Sequence, residues 1–232
     1  MWCKKCRKEV FNEFCDVCGS KAEEDIPLEI YWCSECNVPI IKEAKDPKKQ
    51  NCPSCDSKLK YISTDLRPVY PEERLLIECL LDEPLKYVNS SVWACDSSYF
   101  FDGKKKSIST KAFASANVEK IIDDLKRYEA LNNYDAFNRY SKTFVDVNRE
   151  RLDYLVDEAY DFIQKSASKF TPQTTVISFS GGKDSTVTAD LVVGALKNPS
   201  IVHIFGNTTL EFPFTIDYAK RFRKNHPKTI YK

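Results

Sequence analysis

The chain has 232 residues, 42% hydrophobic and 30% charged, with 35 basic against 34 acidic side chains. That is the balance of a globular protein with one or two real cores, and it gives no whole-chain attraction to nucleic acid, so any basic surface is local. No apolar run reaches the roughly 18–20 residues of a membrane span, and the start MWCKKCRKEV lacks the apolar core of a signal peptide, so the expected setting is the cytoplasm, away from membranes.

Ten cysteines in a reducing compartment need a reason other than disulfides. Eight form four C-x-x-C pairs in the first sixty residues: Cys3/Cys6, Cys15/Cys18, Cys33/Cys36 and Cys52/Cys55. Each pair presents two thiolates from one tight turn, and two such turns complete a tetrahedral four-sulfur site of the kind zinc favours. Residues 1–62 therefore read as two zinc ribbons, with Cys3, Cys6, Cys15 and Cys18 in the first and Cys33, Cys36, Cys52 and Cys55 in the second. Iron or an iron–sulfur cluster is the competing occupant. Four pairs in succession, without the βαβ context of a thioredoxin, favour metal over a redox dithiol. So little core surrounds them that the metal is expected to fold the segment, and four sulfur ligands leave no open position for catalysis. Cys79 and Cys95, in LLIECLL and VWACD, are expected to be buried packing residues.

Residues 63–116 read as a small α+β module. A proline-marked start and an apolar pattern predict a helix over 72–81, and aromatic and β-branched runs separated by Asn-Ser-Ser and Asp-Gly predict two or three short strands. Lys104, Lys105 and Lys106 follow the Asp-Gly turn and suit a solvated hairpin tip better than a phosphate contact. Residues 117–170 read as helical. Leu152, Leu155, Val156, Ala159, Phe162 and Ile163 fall at helical spacing and are expected to pack on the sheet that follows.

At residue 171 the pattern changes. Val176-Ile-Ser-Phe reads as a buried parallel strand, the residues after Ser185 as a helix, and Ser180-Gly-Gly-Lys-Asp-Ser185 as the turn between them. Amides at a helix start lack intrahelical partners and the helix dipole adds positive charge, so the turn is an anion site. Gly181 and Gly182 admit close backbone approach, Lys183 adds a full charge, and Ser180 and Ser185 can donate hydroxyls. The Walker pattern fails twice, since Ile177 stands where its first glycine belongs and Asp184 follows the lysine; the dinucleotide pattern G-x-G-x-x-G fails as well.

SGGKDS resembles the pyrophosphate loop (PP-loop) of the adenine nucleotide alpha hydrolase-like superfamily. One helix later, IVHIFGNTTLEFPFT resembles the "DTG-x-x-FPET" segment of the phosphoadenosine phosphosulfate (PAPS) reductase family. Here Asn207-Thr208-Thr209 replaces Asp-Thr-Gly, and Phe214 takes the glutamate position. The resemblance covers roughly residues 149–232. It implies a parallel-sheet α/β nucleotide-binding domain, with residues 171–232 as its N-terminal part, preceded by the ribbons, the α+β module and the helical segment. It further implies that Ser178, Phe179, Ser180, Gly181, Gly182, Lys183, Asp184, Ser185, Asn207 and Thr208 surround an adenylyl nucleotide, with Lys183 and Asp184 closest to the chemistry.

Members of that family reduce a sulfonucleotide to sulfite or cleave ATP between the α and β phosphates to prepare a substrate for sulfur insertion. The ATP route would add magnesium, and a cluster-assisted route would add an iron–sulfur cluster beyond Lys232. The domain is expected to continue past Lys232, or to be completed by a second polypeptide, because the reductase branch uses a C-terminal cysteine and none follows Cys95. Two further readings remain open. One is an ATP-dependent adenylating sulfurtransferase acting on tRNA or DNA, with a sulfur-carrier protein as a further candidate partner. The other is a nucleic-acid-binding module with a vestigial loop, using Trp2, Tyr31, Trp32 and nearby lysines as its surface. His203, inside an apolar strand, is expected to be a packed residue, and His226 lies in a basic loop.

Overall fold

The structure is a computed structural model that describes residues 1–48, 50–109, 111, 114–171 and 174–231. It divides into two compact units, Met1–Arg149 and Glu150–Lys232.

The first unit opens on a two-stranded antiparallel ribbon, β1 (Trp2–Cys3) and β2 (Lys8–Glu9). Its core is Cys3, Val10, Cys15 and Ala22. The second ribbon is larger. Strands β3 (Leu28–Cys33), β4 (Val38–Glu43) and β5 (Lys60–Ser63) form an antiparallel sheet with β3 in the centre. Tyr31, Cys33, Val38, Ile40 and Cys52 make its core.

Next come β6 (Arg67–Pro68) and helix α1 (Pro71–Leu80). Pro71 supplies the first helical residue, where a missing N–H costs nothing, and Glu72 and Glu73 complement the dipole in the first turn. The expected strands are β7 (Val92–Cys95), β8 (Ser98–Phe101) and β9 (Lys104–Ser107), which join β6 in the order β6-β7-β8-β9. Lys104 to Lys106 thus belong to a strand. Lys106 pairs with Glu83 at 2.8 Å and lies over Tyr87, while Lys104 and Lys105 are exposed. Cys79 is buried as expected, but Cys95 is only half-buried and its sulfur accepts from Ser63 Oγ at 3.2 Å.

The helical segment resolves into α2 (Val118–Tyr128), a 3-10 turn (Glu129–Leu131), α3 (Asp135–Val147) and α4 (Arg149–Ala167). Asn117 caps α2 by accepting from Lys120 N. Asn148 separates α3 from α4. Its buried amide accepts from Ile41 N at 2.8 Å and donates to Pro39 O at 3.0 Å, which satisfies the open edge of β4.

The second unit is α/β structure built on a parallel sheet. Strands β10 (Val176–Ser178), β11 (Val202–Phe205) and β12 (Ile230–Tyr231) pair in parallel in that order. Helices α5 (Lys183–Leu196) and α6 (Pro213–Asn225) connect them. The core holds Ile177, Phe179, Ala189, Ile201, Phe205, Ala219 and Phe222. His203 is fully buried on β11, 4.8 Å from the His226 ring, with neither ring nitrogen partnered.

The stripe on α4 departs from expectation. No residue of this helix is buried, and Phe162 is 70% exposed. Leu152, Val156, Ala159 and Ile163 are half-buried and lie within a narrow arc of the helical wheel, from which Leu155 and Phe162 are rotated by roughly 60–100°. The contacts of this helix are with α5: Gln164 Nε2 donates to Ala195 O at 2.9 Å, and Tyr160 lies against Gly194. A helix-on-helix seam uses a narrower stripe than a helix laid on a sheet.

Candidate functional site

The eight ribbon cysteines assemble into two clusters. In each set the four sulfurs lie within 4.8 Å of one another. Sγ–Sγ distances include 3.5 Å for Cys3–Cys18, 3.5 Å for Cys33–Cys55 and 3.8 Å for Cys36–Cys52. A tetrahedron with sulfur 2.3 Å from zinc has edges of about 3.8 Å, so both cages fit a single such ion. The backbone supports them. Cys6 N points at Cys3 Sγ at 3.4 Å and Cys36 N at Cys33 Sγ at 3.3 Å, donors that favour thiolate. The Ser20 and Ser57 hydroxyls hold Cys18 and Cys55 down at about 6. Contact with Cys18 pushes Cys6 up to about 12, and burial pushes Cys36 up, as expected of thiols crowded together. Every sulfur of each set faces its cluster, so these are closed, structural sites.

The aromatic rings expected as a nucleic-acid surface are not on the surface. Trp2, Tyr31 and Trp32 are 3%, 6% and 3% exposed. Tyr31 and Trp32 lie on the central strand β3, where both faces are covered, and the Trp32 indole packs on Gly103. Buried rings cannot stack on bases, so the reading that rested on them is corrected.

In the second unit the sequence folds as a strand, a turn and a helix. β10 ends at Ser178, Phe179 turns into the core and stacks on Phe222 at 3.9 Å, and α5 begins at Lys183. Gly181 adopts φ +78, a left-handed conformation suited to glycine, and a Cβ there would stand 3.1 Å from Thr215 Cγ2. Gly182 is the N-cap and contributes no side-chain acceptor, so the first amides of α5 are uncapped. The hydroxyls order the turn. Ser180 Oγ and Ser185 Oγ lie 3.1 Å apart, Ser185 Oγ donates to Gly182 O at 3.0 Å, and Gly182 N points at Ser180 Oγ at 3.4 Å. Lys183 Nζ donates to Asp184 Oδ1 at 2.7 Å, with both side chains 89% exposed. That contact raises the Lys183 pKa, so its charge persists.

Not every residue expected at the site is placed to act there. Phe179 is 1% exposed and its N–H is spent on Ile204 O at 2.9 Å, so it serves as a wedge beneath the turn, not as a ligand contact. Ser178 is exposed at the end of β10. Asn207 and Thr208 bond within their own loop, Asn207 Oδ1 accepting from Thr209 N and Thr208 Oγ1 donating to Glu211. Sequence reasoning missed Thr215 and Tyr218. Thr215 rests against Gly181, and the Tyr218 hydroxyl lies 3.1 Å from Thr186 Oγ1, so α6 buttresses the turn. Their only signal was a place in the FPFT segment and the helix after it.

Residues 174–230 match the family model described as the phosphoadenosine phosphosulfate reductase domain. The matched segment runs from just before β10 to β12 and contains both the turn and the FPFT loop, so the second unit is similar to that family over nearly its whole parallel sheet. No curated protein matches the chain, and no solved structure matches it. Among the described residues, no helix is long and apolar enough to cross a membrane.

Proposed function

We propose that the second unit binds an adenylyl nucleotide at residues 180–185, and that its chemistry is reduction of a sulfonucleotide or adenylation for sulfur transfer. The observation that carries this reading is the uncapped N-terminus of α5, held by a positive-φ glycine at the end of a parallel strand, within a segment matching the reductase family. Ligands of open parallel sheets bind at the carboxyl ends of the strands, which is where this turn sits.

In the proposed complex the amides of Lys183 and Asp184 and the hydroxyls of Ser180 and Ser185 receive phosphate or phosphosulfate oxygens. The Lys183 side chain turns from Asp184 to the ligand, which neutralises charge as it develops on the leaving group. Asp184, released from that ion pair, is the carboxylate available to a magnesium ion if ATP is the substrate. The ribbon metals hold structure only. Reduction would take a thiol reductant, oxidised to a disulfide as sulfite is released. Sulfur transfer would take both a sulfur donor, such as a sulfur-carrier protein, and an acceptor, such as a nucleic acid, from which the sulfur displaces AMP.

Calorimetric titration of the zinc-loaded protein with PAPS, adenylyl sulfate and ATP tests the reading. Saturable binding of at least one of them, with none by adenosine, supports a phosphate-directed site. Absence of binding by all three, or equal binding of adenosine, overturns it.

A further inference from the structure

The first unit contains a buried cation with two unpartnered donors. Arg74 on α1 is 4% exposed, and its Nε and Nη1 have no hydrogen-bond partner, while Nη2 donates to Asn132 Oδ1. Two carboxylates are close in sequence, but both are engaged elsewhere. Glu78 accepts from Leu85 N at 3.1 Å and Tyr87 N at 2.6 Å, and Glu72 accepts from the Tyr134 hydroxyl at 2.7 Å. Neither forms an ion pair with Arg74 among the described residues. Their charge still supports the guanidinium against burial, which pulls its pKa down. Buried donors without acceptors are rare in folded proteins, and a buried charge is normally paired.

Arg74 lines a groove between α1, the 88–93 segment and α3. Ser90, Asn133 and Ser141 bring polar groups to its lining, and Val88, Val92 and Phe137 apolar ones. The groove is half open and offers a volume of about 20 Å³. About 10–15 Å³ by this measure holds one water, so the space takes one or two oxygen-sized groups and no bulky head. A carboxylate supplies two oxygens in a plane that matches the edge of a guanidinium and is the smallest organic anion to do so.

We propose that this groove is a carboxylate-binding site anchored by Arg74. The carboxylate is either that of a small free acid or the end of a peptide whose remainder leaves through the open mouth. The site is independent of the nucleotide loop, and its failure leaves that reading untouched.

The test uses the full, zinc-loaded chain labelled with ¹⁵N-arginine, following the Arg74 Nε–H resonance as sodium acetate, acetyl-triglycine, acetamide or sodium chloride is added. The account expects a saturable shift with acetate or acetyl-triglycine and none with acetamide or chloride. Acetyl-triglycine binding at least tenfold tighter than acetate assigns the carboxylate to a peptide end, and equal or weaker binding assigns it to a free acid. Arg74→Met, checked for folding by retention of zinc, is expected to abolish the effect of acetate on thermal stability. No saturable shift with either acid, which leaves a buried water as the partner of Arg74, overturns the proposal. So does an equal response to acetamide or chloride.

Discussion

The cysteine cages and the glycine turn both gather ligand groups in turns of the chain, the one set for a cation and the other for an anion, and they are held in different ways. In the cages four sulfurs converge on one point, and the hydrogen bonds around them favour thiolate. In the turn the donors already have stand-ins, since Ser180 meets Ser185 and Lys183 meets Asp184. The lesson is that a metal bound in the cages would be part of the fold of the first unit, whereas a nucleotide would exchange internal contacts for external ones and leave the fold of the second unit as it is.

Removing metal should break this contrast most visibly. Structural zinc contributes roughly 10–16 kcal/mol to small ribbons near neutral pH. Chelation at pH 7 is therefore expected to unfold both ribbons and expose Trp2 and Trp32, seen as a red shift of tryptophan fluorescence, with the hydrogen-exchange protection of β10 and β11 unchanged. Tryptophans that stay buried after complete metal removal would contradict the assigned role of the cages. Cys33→Ser should reproduce the loss for the second ribbon.

Smaller effects test how each unit is held. Gly103→Ala places a Cβ 2.5 Å from the Trp32 ring at φ +75, which should cost about 3 kcal/mol in overpacking and backbone strain, measured by denaturant unfolding. Gly181→Ala should cost about 1–2 kcal/mol through its positive φ and the contact with Thr215. The smallest effect is electrostatic. Burial, with help from His226, pulls the His203 pKa below its ordinary value. The unfolded chain therefore takes up a proton that the folded one refuses. The stabilisation is complete above about pH 6.5 and is lost as pH falls below it. His203→Phe should flatten that dependence in the second unit; an unchanged pH profile would mean that the ring is not held neutral.

Much of this was legible in the sequence where spacing alone defines geometry. The C-x-x-C pairs could only meet one another, and SGGKDS between an apolar run and a helix could only be a strand–helix turn. What failed depended on how much of an element is covered. The α4 stripe was read too wide because Leu155 and Phe162 share its period but lie outside the seam. Trp2, Tyr31 and Trp32 were read as a surface because aromatics beside lysines look exposed until β3 is known to be the central strand. Phe179 adjoins the loop in sequence, yet strand alternation sends it into the core. Thr215 and Tyr218 come from the next crossover, and Arg74 carries no motif at all.

The central claim is that the turn at residues 180–185 is a phosphate site for an adenylyl nucleotide, with Lys183 as its charge. Calorimetry of Lys183→Ala beside the unsubstituted protein, with whichever of PAPS, adenylyl sulfate or ATP binds, addresses it most directly. Removing a charged hydrogen-bond donor is worth about 1.5–3 kcal/mol, so affinity should fall roughly tenfold to a hundredfold, with the folded stability of the second unit unaltered because Lys183 is exposed. Affinity that is unchanged in Lys183→Ala would contradict the account.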